Sequence, residues 1–242
     1  MADFINTIDR LGDDAVMDSI IDRTITEFKD DQITSIGDYA FYGCSALTVV
    51  DCPNVKKLGF LSSNQSMAYI FFYCTALHEV NFPEVEIAGN KMFVGLTNLV
   101  SINMPKLRSI SGDQFITSTG ITRLNMSGLD GSVYRGSLYD NKKLEIVDLG
   151  GCTSIGTEAL KGCSVLKAVI LRRNVDVVTL GGTNAFTNTP VASGTGYIYV
   201  PSSLVDSYKS ATNWSIYATQ IRALEDYTVD GTITGELDET KI

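Results

Sequence analysis

The stretch AFYGCSALTVVDCP, residues 40–53, returns thirty residues later as IFFYCTALHEVNFP, residues 70–83, and the two align position for position. They share Phe41/Phe71, Cys44/Cys74, Ala46/Ala76, Leu47/Leu77, Val50/Val80 and Pro53/Pro83. Weaker copies begin at residues 92 (MFVGLTNLVSINMP), 114 (QFITSTGITRLNMS), 137 (SLYDNKKLEIVDLG) and 159 (ALKGCSVLKAVILR), and a degenerate one at 185 (AFTNTPVASGTGYIYVP). Taking the Phe or Leu at the second place as marker gives Phe41, Phe71, Phe93, Phe115, Leu138, Leu160 and Phe186, with steps of 30, 22, 22, 23, 22 and 26 residues. Cys44 and Cys52 are thus members of repeating columns before they are a pair.

Within each copy apolar residues recur as L-x-x-L-x-L: Leu47, Val50, Cys52; Leu77, Val80, Phe82; Leu99, Ile102, Met104; Ile121, Leu124, Met126; Leu144, Val147, Leu149; Leu166, Val169, Leu171. The last two members of each triplet alternate with period two, as a one-sided strand requires. The segment A-F-x-x-C-x-x-L sets Phe41, Cys44 and Leu47 at i, i+3 and i+6, which predicts a short helical or 3₁₀ turn. It also predicts a stacked spine of Phe41, Phe71, Phe93 and Phe115. Such a unit buries its apolar face only by stacking on the next one. The long second step leaves room for an inserted loop, SSNQSMA at 62–68.

The period lies in the leucine-rich-repeat range of roughly 20 to 29 residues. The copies GDYAFYGCSALTVVDCPNV and GTEALKGCSVLKAVIL resemble the BspA-type leucine-rich repeat, I-x-x-I-x-x-x-A-F-x-x-C-x-x-L-x-x-V-x-L-P. The fourth and fifth copies depart most, with Ser118 or Asn141 at the Cys place and Ser127 or Gly150 at the Pro place. The expected fold is an α/β leucine-rich-repeat solenoid of about six to seven coils with helical N- and C-terminal caps. Residues 1–32 are assigned to an N-terminal cap or docking segment, 33–201 to the repeats, 202–226 to a C-terminal helical cap and 227–242 to an acidic tail. The N-terminal helix is placed at DDAVMDSIID, 13–22, followed by the strand TITEF. The C-terminal helix is placed after Ser202 or Ser203 as N-cap, with Leu204, Val205 and Tyr208 on its apolar face and Trp214 and Tyr217 beyond. The tail is read as a linker, or a strand that orders only against a partner.

The charge balance narrows the partners. Nineteen Lys and Arg against twenty-eight Asp and Glu leave a formal charge of −9, which repels nucleic acid and anionic membrane surfaces on average. No apolar run approaches the roughly 18 to 20 residues of a membrane span, so no membrane insertion is expected. The opening MADFINTIDRLGDD has neither the basic nor the apolar region of an export signal, so synthesis is expected to end in the cytoplasm. All five cysteines fall on repeat positions and read as small buried hydrophobes. None pairs at the spacing a zinc site needs. The single histidine, His78, occupies a variable outer place with no orienting partner in the pattern. No phosphate-loop, dinucleotide or calcium-loop motif occurs. The chain is therefore read as non-enzymatic, with no cofactor and no metal.

One column stands out. The strand residue between the two inward places is Asp51, Asn81, Asn103, Asn125, Asp148 and Ile170, and Asn and Asp are poor strand formers. Alternation points them away from the core. They form either a polar ladder along the stack or a hydrogen-bonding surface, and the two roles are compatible. The candidate binding face is Asp51, Asn81, Asn103, Asn125 and Asp148, with Glu79 and Arg123 from the flanking outward column. The expected partner is a protein or a cell-surface glycan. The termini resemble those of repeat proteins in phages of gut Firmicutes. That resemblance implies a phage tail-associated protein in the virion, contacting other virion proteins; the alternative is a bacterial cell-surface adhesin.

Overall fold

The computed structural model describes residues 10–11, 22–59, 68–226, 228–229 and 232–233. The chain coils repeatedly, and each coil contributes three sides. The first side is a row of three-residue strands. In Val49–Asp51, Glu79–Asn81 and Arg123–Asn125 the middle residue, Val50, Val80 or Leu124, is buried and its neighbours face out. The pairing is parallel and in register, Val49 opposite Glu79 and Glu79 opposite Ser101. Glu27–Lys29, Val49–Asp51, Glu79–Asn81 and Ser101–Asn103 make one run. Arg123–Asn125, Ile146–Asp148, Ala168–Ile170 and Tyr197–Val200 make a second, closed by Ile221–Ala223. The second side is built from two-residue strands that break at the same place, after Ser109–Ile110 and before Ser132–Val133. Arg10–Leu11 pairs with the first of these, Ser35–Ile36.

There are about eight turns, not six to seven. The first turn, led by Glu27–Lys29, lacks the A-F-x-x-C signature in its predecessor and so reads in sequence as a cap. Phe28 on that strand packs edge-on against Phe41, with ring centroids 5.0 Å apart.

The third side corrects the expected helical turn. Six turns carry a pair of left-handed residues four apart: Tyr39 and Gly43, Tyr69 and Tyr73, Lys91 and Gly95, Gln114 and Ser118, Gly136 and Asp140, Glu158 and Gly162. A positive φ every fourth residue prevents helix propagation. Single i→i+3 bonds of the 3₁₀ type remain, from Cys44 N to the Phe41 carbonyl and from Leu47 N to that of Cys44, and others run from coil to coil, from Phe41 N to the Ile70 carbonyl, Leu138 N to that of Ala159 and Leu160 N to that of Ala185.

The same bonds correct the register of the fourth copy. Phe93 N bonds the carbonyl of Phe115, and Phe93 lies opposite Ile116 in the paired strands Phe93–Val94 and Ile116–Thr117. The marker column is therefore Phe41, Phe71, Phe93, Ile116, Leu138, Leu160 and Phe186. Phe41, Phe71 and Phe93 stack with centroids 5.4 and 5.3 Å apart and planes within 10°. Phe115 is fully buried but comes from the adjoining place, and meets Phe93 edge-on at 75°. The Cys place of this copy is accordingly Thr119, not Ser118.

Helix content is low. The helical cap expected at the C-terminus consists of short pieces, a 3₁₀ turn Ser202–Leu204 without a side-chain cap, the helix Val205–Ser210 and a 3₁₀ turn Ser215–Tyr217. Their side chains close the open end of the second side. Trp214 Nε1 donates to the Val178 carbonyl (2.7 Å), the Tyr208 hydroxyl accepts from Val178 N (3.1 Å), and Asn213 Nδ2 donates to the Leu180 carbonyl (2.7 Å). Exposed strand ends invite pairing with other chains, and these bonds remove that option. The helix expected over 13–22 lies outside the described residues apart from Asp22, as does most of the 62–68 insertion. Of the tail, Thr228–Val229 pairs antiparallel with Thr232–Ile233, and the remainder lies outside the described residues. Among the described residues no helix is long and apolar enough to cross a membrane.

Candidate binding surfaces

The Asn/Asp column divides where the sheet divides. On the first run, Asn103 Nδ2 donates to Asn81 Oδ1 (2.6 Å) and Asn81 Nδ2 to Asp51 Oδ1 (2.7 Å). Three side chains are thus fixed in a row, with Asp51 the terminal acceptor. Asp51 and Asn81 are half-buried, and Asn103, Glu79 and Arg123 are exposed. On the second run the column turns inward. Asn125 Oδ1 accepts from Ser127 N (2.9 Å) instead of reaching Asn103. Asp148 is fully buried, its Oδ1 accepting from Gly150 N (2.8 Å) and its Oδ2 from Arg172 Nε (2.7 Å).

Asp148 is buried because the face above it is covered. Ile146, Ala168, Ile170 and Tyr199, all outward-facing strand residues, form an apolar cluster separate from the main core, with Tyr197 and Leu224 packed against it. The Arg222 guanidinium lies over the Tyr197 ring, 4.7 Å from its centroid. Asp148 is therefore not available to a ligand on this face. The open part of the predicted surface is Asp51, Glu79, Asn81, Asn103 and Arg123, with Asn125 half-buried at its edge. The covering was signalled in the sequence by Ile170 in a column otherwise Asn or Asp. Arg172, the partner of Asp148, carries no periodic signal.

The third side carries a second candidate surface that the repeat pattern hides, because the buried markers of YGC and FFYC dominate the periodicity. Tyr39, Tyr42, Tyr69, Phe72 and Tyr73 form a continuous partly exposed cluster over the first two turns. Tyr42 and Phe72 stack at 5.8 Å, and Tyr73 stands nearly perpendicular to Tyr42, at 83°. Further along this side, Arg135 and Lys161 line a shallow cleft but both pair with Glu158, at 3.2 and 2.7 Å. Those two cations hold the Glu158 carboxyl below its ordinary range. Arg135 and Lys161 are therefore already engaged by a carboxylate of the cleft itself.

The cysteines are buried and free. Burial pushes the Cys44 thiol up to about 11 and those of Cys52, Cys152 and Cys163 up to about 12, the reverse of what a nucleophile needs. Cys74 Sγ donates to the Phe41 carbonyl (3.0 Å) and Cys163 Sγ to that of Leu138 (3.1 Å). His78 is exposed. Among the described residues no three His, Cys, Asp or Glu side chains converge as metal ligands would.

The family model for the BspA type leucine rich repeat region matches six copies, over residues 3–62, 24–127 and 64–193. The chain belongs to the BspA-type leucine-rich repeat family. No curated protein matches it. Among solved structures it is similar to a leucine-rich repeat protein of T. pallidum, with 17% identity, a TM-score of 0.43, and 56% of this chain and 72% of that one covered. A leucine-rich cell surface protein of Faecalibacterium prausnitzii is 20% identical with a TM-score of 0.37, covering 60% of this chain and 47% of that one. The pneumococcal vaccine antigen PcpA is 15% identical with a TM-score of 0.43, covering 83% and 40%. The chain thus spans less than half the length of the last two.

Proposed function

We propose that this BspA-type repeat protein is a non-catalytic binding protein, whose open strand face of Asp51, Glu79, Asn81 and Asn103, with Arg123 at its edge, meets a protein or glycan partner. The observation that carries the reading is the hydrogen-bonded row Asn103–Asn81–Asp51. It holds three polar side chains in one geometry on the outward face of a rigid sheet, so a ligand would not have to order them. Solenoid faces of this kind are the common binding surfaces of repeat proteins.

Two settings suit such a module, a phage tail, where it would also contact other virion proteins, and a bacterial surface, where it would act as an adhesin. Tail or baseplate genes beside its own would favour the first, and a sortase or secretion context the second. For the surface itself, the measurement is binding of the fluorescently labelled chain to intact bacterial and epithelial cells. Asn81→Ala combined with Asn103→Ala, with folding intact by circular dichroism, should weaken that binding at least tenfold. Unchanged binding would reject this column as the contact face.

A further inference from the structure

Tyr73 sits where the fold favours small residues. It is the second left-handed residue of its turn, with φ of 65°. Its counterparts in the other turns are Gly43, Gly95, Ser118, Asp140, Gly162 and Asn188. Glycine meets no steric penalty there, and Asn and Asp tolerate the conformation through short polar side chains. A bulky aromatic at positive φ is a genuine outlier, of the kind that persists where function over-rides local preference. Burial does not compensate Tyr73, which is 56% exposed.

Its neighbours explain what the position provides. Tyr42 and Phe72 stack on one another and are half-buried, so each has one face taken up by the other. Tyr73 stands at 83° to Tyr42 and 63° to Phe72, parallel to neither, and is the one exposed ring of the cluster, the other four being half-buried. Tyr69 packs edge-on against Phe72, at 4.9 Å, and brings a hydroxyl to the rim. The nearby cation, Lys91, is directed at Tyr69, its Nζ 5.5 Å from the ring centroid and 3.5 Å from the hydroxyl.

We infer that Tyr73, with Tyr42, Tyr69 and Phe72, forms a binding site for a neutral saccharide, one sugar ring stacking its C–H face on Tyr73 while tyrosine hydroxyls meet its hydroxyls. Two points select this occupant. The site offers one open aromatic face bordered by hydroxyls, which matches a pyranose ring with its apolar face and polar rim. The ammonium at its edge, Lys91, is directed at Tyr69, and the chain as a whole carries charge −9, so the site suits a neutral ligand better than a polyanion.

The inference rests on the chain being a binding module but not on the strand face being its contact surface. The test is affinity electrophoresis of the full chain in native gels containing yeast α-mannan, galactomannan or laminarin, with Tyr73→Gly and Tyr73→Asn beside the parent. Both variants suit the left-handed backbone, so their thermal midpoints should equal or exceed the parent's. At least one polysaccharide should retard the parent, and each variant should bind it at least tenfold more weakly. Equal retardation of parent and variants would overturn the site. A parent retarded by none of the three would overturn the saccharide assignment. If that parent still binds intact cells, and does so through a protease-sensitive receptor, the binding-module reading stands with a protein partner; if it binds neither cells nor polysaccharide, both readings fall.

Discussion

At the Cys place of the repeat, a thiol in two coils and an amide in a third perform the same task. Cys74 and Cys163 donate to the carbonyls of Phe41 and Leu138, the marker residues of the preceding coils. Asn141 occupies the same place, is fully buried, and donates its Nδ2 to the Ile116 carbonyl at 2.8 Å. Its Oδ1 then accepts from Thr119 N and Oγ1, at 2.9 and 2.8 Å. A buried amide of this kind is tolerable because its hydrogen-bonding capacity is used. The thiols achieve the same with one donor and no acceptor demand, and their chemistry is silenced by burial. That sets an alkaline limit. An unfolded thiol ionises near its ordinary value of 9.0, whereas folded Cys52, Cys152 and Cys163 hold their protons up to about 12. The unfolded chain therefore binds fewer protons across this window, and stability, complete below pH 9, falls as pH rises through it. Burial of the Tyr208 hydroxyl acts in the same direction. Urea midpoints at pH 8, 10 and 11 should decline in that order. Cys52→Val, which matches the apolar Phe82, Met104 and Leu149 of its column, should decline less steeply. A flat profile in the parent would mean that the thiols are solvated.

The elements were legible in the sequence to the extent that period two and the twenty-two-residue step dictate them. The triplets located the strands because one-sided burial leaves no other register for Val50, Val80 or Val169. Two things were not legible. The third side looked helical because i, i+3, i+6 spacing also fits a turn held open by left-handed residues, and Tyr39 or Glu158 gives no propensity signal for positive φ. The fourth copy looked regular because two one-residue changes cancel in its total length. Six residues separate Ile110 from Ile116, against five between Ala88 and Phe93. Five then separate Ile116 from Ile121, against six between Phe93 and Leu99. The shortened connection cuts the corner at Gly120, where a Cβ would lie 2.5 Å from the Thr97 carbonyl oxygen and 3.0 Å from that of Leu99. Both obstacles are backbone and cannot swing aside. Gly120→Ala should therefore cost about 1 to 3 kcal/mol or more, as overpacking does, measured by urea unfolding. Gly128→Ala, which meets the Pro105 and Leu107 carbonyls at 2.9 and 3.2 Å, should cost less. A neutral Gly120→Ala would mean that the connection relaxes and that the short link is not what parts the sheets.

For the whole molecule, that short link falls where both strand sides are interrupted. A repeat array is held by its nearest-neighbour interfaces, so its weakest junction sets where it opens first. Across the junction between Ser101–Asn103 and Arg123–Asn125 the sheet pairing stops, while the third side continues through Phe93 N to the Phe115 carbonyl and Gly95 N to that of Thr117. Asp130 N and Gly131 N still reach the Arg108 carbonyl, and the Arg108 and Asp130 side chains form an exposed ion pair. Such an exposed pair contributes at most about 1 kcal/mol, too little to replace missing strand pairing. The junction also separates the two regimes of the outer face, the open polar row before it and the covered apolar cluster after it. The array should therefore behave as two cooperative blocks with a weakened junction between them. Hydrogen exchange followed by mass spectrometry tests this directly. Phe82 N and Glu145 N each bond a neighbouring coil, to the Asn103 and Thr122 carbonyls. Their counterparts at this junction, Met104 N and Thr122 N, have no such partner among the described residues, and should exchange at least tenfold faster. Equal protection at all four amides would show a single block, with the break in the sheets carrying no energetic weight.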